Sequence, residues 1–182
     1  MTGKMREDLH QLLRQTKTTA LLVTHDHDEA FAMADRIAVL NKGLLEQIDV
    51  PEAIYHMPST RFVAEFVGQA DFIPGTAENG KVVTEIGELP NQGGYQGGAN
   101  VLVMIRPDDI HITPSRAGGA RILARQFRGS ENLYIIGLPS GRTVHSSEAS
   151  TRVYPVGTPV ELKVIATHTV LFEQKPDLLK GT

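Results

Sequence analysis

The sequence contains no cysteine, which excludes disulfides, thiolate zinc sites and iron–sulfur clusters. It has no apolar run near the ~20 residues that a membrane-spanning helix needs. Its opening residues, MTGKMREDLHQLL, lack the apolar core of a signal peptide. Strong charge of either sign is missing too: 18 Lys and Arg stand against 21 Asp and Glu, a formal charge of −3. That balance gives no electrostatic ground for nucleic acid or an anionic membrane as partner. The default expectation is a cytoplasmic protein that reaches a membrane only through another protein.

What is present suits a folded chain. Hydrophobic residues make up 41% of the 182, enough for one domain of ordinary size or two small ones. The two halves follow different patterns. Residues 1–68 alternate helix and strand signals. Met5, Leu9, Leu12 and Leu13 share one face at helical spacing. Residues 18–24, TTALLVT, form an apolar run without alternation, as in a strand buried on both faces. Asp26 can cap a following helix, with Glu29 three residues on as in a capping box, and Phe31, Ala34 and Ile37 continue its apolar side. Residues 37–40 and 44–48 read as a hairpin turning at Lys42-Gly43. PEAIYH begins with Pro51 at a first helical position, and residues 60–67 read as a last helix with Phe62, Val63, Phe66 and Val67 inward.

Near Gly68 the pattern changes to short apolar runs between turn signals. Strands are expected at 72–76, 81–86, 101–106, 110–114, 120–128, 133–138, 143–147, 159–166 and 170–173, with a Gly-rich loop at 91–100. That pattern predicts a small barrel or sandwich over residues 69–182. The first half has too few strands and helices to cover both faces of a parallel sheet. Residues 1–68 therefore read as the end of a larger α/β domain.

The densest polar cluster is Thr24-His25-Asp26-His27-Asp28-Glu29, between the apolar run and the helix. Ligands of open α/β sheets sit at the carboxyl ends of strands, and helix N-termini favour anions. His25 could donate to a phosphate or position a water there. A helix cap with solvated charges explains the same residues. A metal site on His25 and His27 is the third reading, although two histidines are too few ligands. A hydrolytic site would need a nucleophile, and none is evident.

The stretch VTHDHDEAFAMADRIAVLNKGLLEQIDVPEAIYHMPSTRFVAEFVG, residues 23–68, resembles the ATPases of bacterial ABC importers. Their pattern runs V-T-H-D-x-x-E-A, then D-R-I, then P-x-x-I-Y-x-x-P and F-V-A-x-F-x-G. The resemblance implies that His25 is the switch histidine, which contacts the γ-phosphate of ATP. Residues 105–110 (IRPDDI), 128–131 (RGSE), 138–141 (LPSG) and 168–172 (HTVLF) resemble the TOBE region that follows the nucleotide domain in maltose, polyamine and iron importers. The implied architecture is an α/β fragment, the end of a P-loop nucleotide-binding domain over residues 1–68, followed by an all-β OB-like TOBE barrel over 69–182. The parent protein would use ATP and magnesium, pair as a homodimer through its C-terminal region, and act on permease subunits at the inner face of the membrane. Iron(III) is the solute suggested by FVGQADFIPG with the HSS and ATHTVLF stretches.

The sequence departs from the family's full pattern. It has no G-x-x-x-x-G-K-[ST] phosphate loop, no strand ending in Asp-Glu and no L-S-G-G-Q signature. The family's D-loop aspartate would align with Thr2. On this reading the chain is a portion of a longer protein, and alone it binds no nucleotide and does not hydrolyse ATP. The rival is a stand-alone ligand-binding or structural module. In the second half, Arg106 is expected in a structural ion pair at a turn, and His111, His145 and His168 as ordinary strand residues. The 11 basic and 11 acidic residues of 69–182 offer no nucleic-acid groove, and their scatter speaks against an oxyanion site.

Overall fold

The computed structural model describes residues 3–166 and 168–174. The chain divides into two compact units, Met1–Gly68 and Gln69–Thr182. None of the described helices is long and apolar enough to cross a membrane.

The first unit opens with α1 (Gly3–Thr16). Leu13 on its apolar face is half-buried, while Met5, Leu9 and Leu12 stay exposed. Residues 18–24 depart from expectation. They form no strand, and Leu21 and Val23 are 92% and 88% exposed. An apolar run becomes a buried strand only when neighbouring strands take up its peptide groups, and no such neighbour lies among the described residues. Helix α2 (His27–Met33) starts where expected but stops early, so that Ile37 opens β1 (Ile37–Asn41).

Strands β1 and β2 (Leu44–Asp49) pair antiparallel, Asn41 opposite Leu44. Lys42 and Gly43 both take positive φ, 49° and 82°, the two-residue hairpin turn whose twist matches the strands. Pro51 opens α3 (Pro51–His56), and α4 (Arg61–Val67) follows. Val39, Ile54, Val63 and Val67 form the core, with Phe31, Ile37, Tyr55 and Phe62 packed around it. Of the residues expected inward on α4, Phe66 remains 42% exposed.

Polar side chains tie the hairpin to the α3–α4 turn. Gln47 accepts from the Ser59 N–H at 2.8 Å and donates to the Met57 carbonyl at 3.2 Å. Thr60 Oγ accepts the Val63 N–H and donates to Glu46. Thr60→Ala removes that cap and should lower stability by about 1 kcal/mol. A urea unfolding midpoint unchanged by the substitution would contradict that value.

The described residues of the second unit form two five-stranded sheets. One has the order β12-β6-β3-β4-β5, the other β10-β9-β8-β11-β7, and every pairing is antiparallel. The strands are β3 (Asp71–Glu78), β4 (Lys81–Thr84), β5 (Gly87–Pro90), β6 (Asn100–Ile105), β7 (Ile110–Pro114), β8 (Ala120–Phe127), β9 (Glu131–Gly137), β10 (Thr143–Ala149), β11 (Pro159–Val164) and β12 (Val170–Glu173). Strand β5 was not expected; the Gly and Pro of GELP hide it. The two sheets share one core, including Ile73, Val103, Ile112, Ile122, Ile136 and Val160.

Among the described residues no backbone ladder joins β7 to β10, so the expected barrel is not closed by main-chain bonds. Side chains bridge these two margins instead. Ser146 Oγ donates to the Ile110 carbonyl at 2.6 Å, and Glu148 Oε1 accepts the Ile112 N–H at 3.1 Å. Gly118 precedes β8 so tightly against β11 that a Cβ there would lie 2.3 Å from the Val160 carbonyl oxygen.

Candidate functional site

The bend at His25 is built from its neighbours. Thr24 Oγ accepts the Asp26 N–H at 3.0 Å, a short side-chain turn that reverses the chain after residues 18–24. The same hydroxyl donates to Glu29 Oε2 at 3.1 Å. Asp26 Oδ1 accepts the Glu29 N–H at 3.0 Å and caps α2, as its position predicts. Thr24, Asp26 and Glu29 are thus bonded to one another beside the exposed His25.

Its imidazole makes no hydrogen bond among the described residues, so both ring nitrogens are open to a ligand. His27 takes another course. Its ring sits edge-on to Phe66, 4.8 Å between centroids, and pins α2 to α4. The two histidines therefore do different things. The sequence places Thr24 in this cluster without a role, and the structure gives it one: its hydroxyl sets the turn.

The second unit holds two further polar clusters. Glu148 has a side chain only 1% exposed. Its carboxylate receives the Ile112 N–H, His111 Nδ1 at 3.0 Å and Arg152 Nη1 at 3.0 Å. Arg152 Nη1 also lies 3.3 Å from His111 Nε2. Asp71, 9% exposed, accepts the His145 N–H at 2.6 Å and faces His145 Nδ1 at 2.8 Å. Arg106 is 1% exposed and donates to the Gln69 carbonyl at 3.0 Å, while its own N–H goes to Asp109. His111 and His145 are thus strand residues whose ring nitrogens meet buried carboxylates. These groups hold the sheets and point at no open site.

Comparison with known proteins covers both halves. The TOBE domain family matches residues 103–172. A spermidine/putrescine import ATP-binding protein, PotA, of Borreliella afzelii is 35% identical over 167 residues, 89% of this chain and 47% of that protein. PotA of Marinobacter nauticus is 31% identical over 192 residues, 96% of this chain and 52% of that protein. A sulfate/thiosulfate import ATP-binding protein, CysA 2, of Chromobacterium violaceum is 39% identical over 121 residues, 66% of this chain and 33% of that protein. The chain spans about half the length or less of these curated relatives.

Proposed function

Because this chain belongs, as a C-terminal region, to the ATP-binding subunits of ABC importers, we propose that it supplies the switch histidine and the regulatory domain of a transport ATPase. The observation that carries the reading is His25: exposed, without a hydrogen bond among the described residues, and at a bend set by Thr24, Asp26 and Glu29. An imidazole so placed can donate to a γ-phosphate oxygen and sense its loss on hydrolysis. ATP and magnesium fit this chain only in part. His25 suits a phosphate oxygen, but the sequence has no phosphate loop and no Asp-Glu strand end to hold the nucleotide and the metal. Those groups would come from the half of the relatives that this chain does not match. Bound magnesium would neutralise charge on the transferring phosphoryl group.

Within that reading, residues 69–182 serve contact between two such subunits and regulation. The permease subunits hold the assembly at the cytoplasmic face of the membrane. The solute we put first is a polyamine, because the relatives sharing most of this chain are named for spermidine and putrescine. Iron(III) finds no support in those names.

The test is a pair of turnover measurements. The purified chain should show no ATP hydrolysis above background. Joined to the N-terminal half of the Borreliella afzelii relative, it should gain hydrolysis. Turnover by the chain alone, abolished by His25→Ala, would sink the reading, as would a folded joined protein that neither binds nor hydrolyses ATP.

A further inference from the structure

Strands β3 and β4 are joined by the short turn Asn79-Gly80, with Glu78 paired opposite Lys81. Both turn residues are exposed. Gly80 takes a φ of 78°, in the left-handed region that suits glycine, and a Cβ there would meet nothing within 4 Å. Its carbonyl accepts the Asn91 N–H at 3.0 Å. Its own N–H makes no hydrogen bond among the described residues, and neither does the Asn79 carboxamide. An open side-chain carbonyl carbon thus precedes an open amide nitrogen, at the spacing that closes a five-membered ring.

The other asparagines lack this combination. Asn41 donates to Glu46 at 2.9 Å. Both polar atoms of the Asn91 side chain bond to the Tyr95 backbone. Asn132 is buried and donates to the Ser150 and Arg152 carbonyls. Asn100 is exposed, but buried Val101 follows it, and a β-branched side chain crowds the amide nitrogen that would have to attack.

We propose that Asn79 is a site of spontaneous deamidation, with water as the co-reactant. The Gly80 nitrogen gives its proton to solvent and attacks Asn79 Cγ. A bond forms between that nitrogen and Cγ, the Cγ–Nδ2 bond breaks, and Nδ2 leaves as ammonia with a proton taken from solvent. Water then opens the resulting succinimide at either carbonyl. Opening at Cγ leaves an aspartate in a normal backbone. Opening at the main-chain carbonyl leaves an isoaspartate, whose backbone runs through Cβ and Cγ. Nothing is oxidised or reduced. Either product adds a carboxylate to a turn between Glu78 and Lys81, whose ammonium already meets Glu88 at 2.6 Å. Isoaspartate also lengthens the main chain by a methylene, so the turn no longer matches the Glu78–Lys81 register. The proposal stands on this turn alone and does not depend on the proposed function.

The purified, folded chain is aged in warm, mildly alkaline buffer, then resolved by isoelectric focusing and by mass-spectrometric peptide mapping. Asn79 should convert roughly tenfold faster, or faster still, than Asn41, Asn91, Asn100 or Asn132. Each converted chain should gain one negative charge, and part of the product should be isoaspartate. Asn79→Gln, which would need a larger ring, should hold the charge constant over the same period. In the isoaspartate form the Asn91 amide proton should exchange faster, because its acceptor is the Gly80 carbonyl. An Asn79 that stays intact while another asparagine converts overturns the proposal. So does conversion seen only in denaturing urea, since the folded turn would then protect the site, and so does an equal charge shift in the Asn79→Gln variant.

Discussion

His25→Ala, in the chain joined to the N-terminal half of the Borreliella afzelii relative, should lower ATP turnover by roughly a hundredfold or more while the ATP dissociation constant changes only a few-fold. The asymmetry follows from where the residue stands. Its imidazole is exposed at a bend and bonds to nothing else among the described residues, so its removal disturbs no packing. Ground-state affinity would come from a phosphate loop and magnesium outside this chain. His25 would act on charge that shifts as the γ-phosphoryl group transfers. Equal losses in binding and turnover would remove it from that role, and unchanged turnover would end the assignment. Direct ATP binding and steady-state hydrolysis on the same preparation separate these outcomes.

Glu148→Ala should lower the stability of the chain by about 2–3 kcal/mol, because it leaves the Ile112 N–H buried without its acceptor and opens a small void. His111 and Arg152 are about half exposed and can turn to water, so their loss of a partner adds little. Glu148→Gln keeps an oxygen for Ile112 and should cost less than half as much. Urea unfolding followed by circular dichroism measures both. If Ala and Gln variants unfold at the same midpoint, the Ile112 bond is not what Glu148 contributes.

The sequence shows best those elements whose bonds are local. The Lys42-Gly43 turn, the Pro51 helix start and the Asp26 cap stand where short-range patterns place them. Residues 18–24 fail for a different reason. TTALLVT has the composition of a buried strand, but a strand exists through its neighbours. The run is apolar because it is suited to partners that the described residues do not provide.

The clusters in the second unit were hidden by distance and by pattern. Glu148, His111 and Arg152 come from two strands and a loop, and Ser146 and Glu148 take the inward positions of β10 beside Val144. Alternation places polar residues outward, so a buried carboxylate there contradicts the rule that would locate it. At the candidate site, the motif singles out His25, and the role given to it is the proposal above. The hydroxyl of Thr24, which sets the bend, needed coordinates.

The stitched margin between β7 and β10 has one more consequence. Among the described residues β7 makes its main-chain ladder with β11 alone, and β11 pairs with β8 at Pro159–Arg121 and Val160–Ala120. If the Ser146 and Glu148 contacts let go, the seam between β7 and β10 opens beside Ile110, Ile112 and Val160, which makes it the place where water would first reach this core.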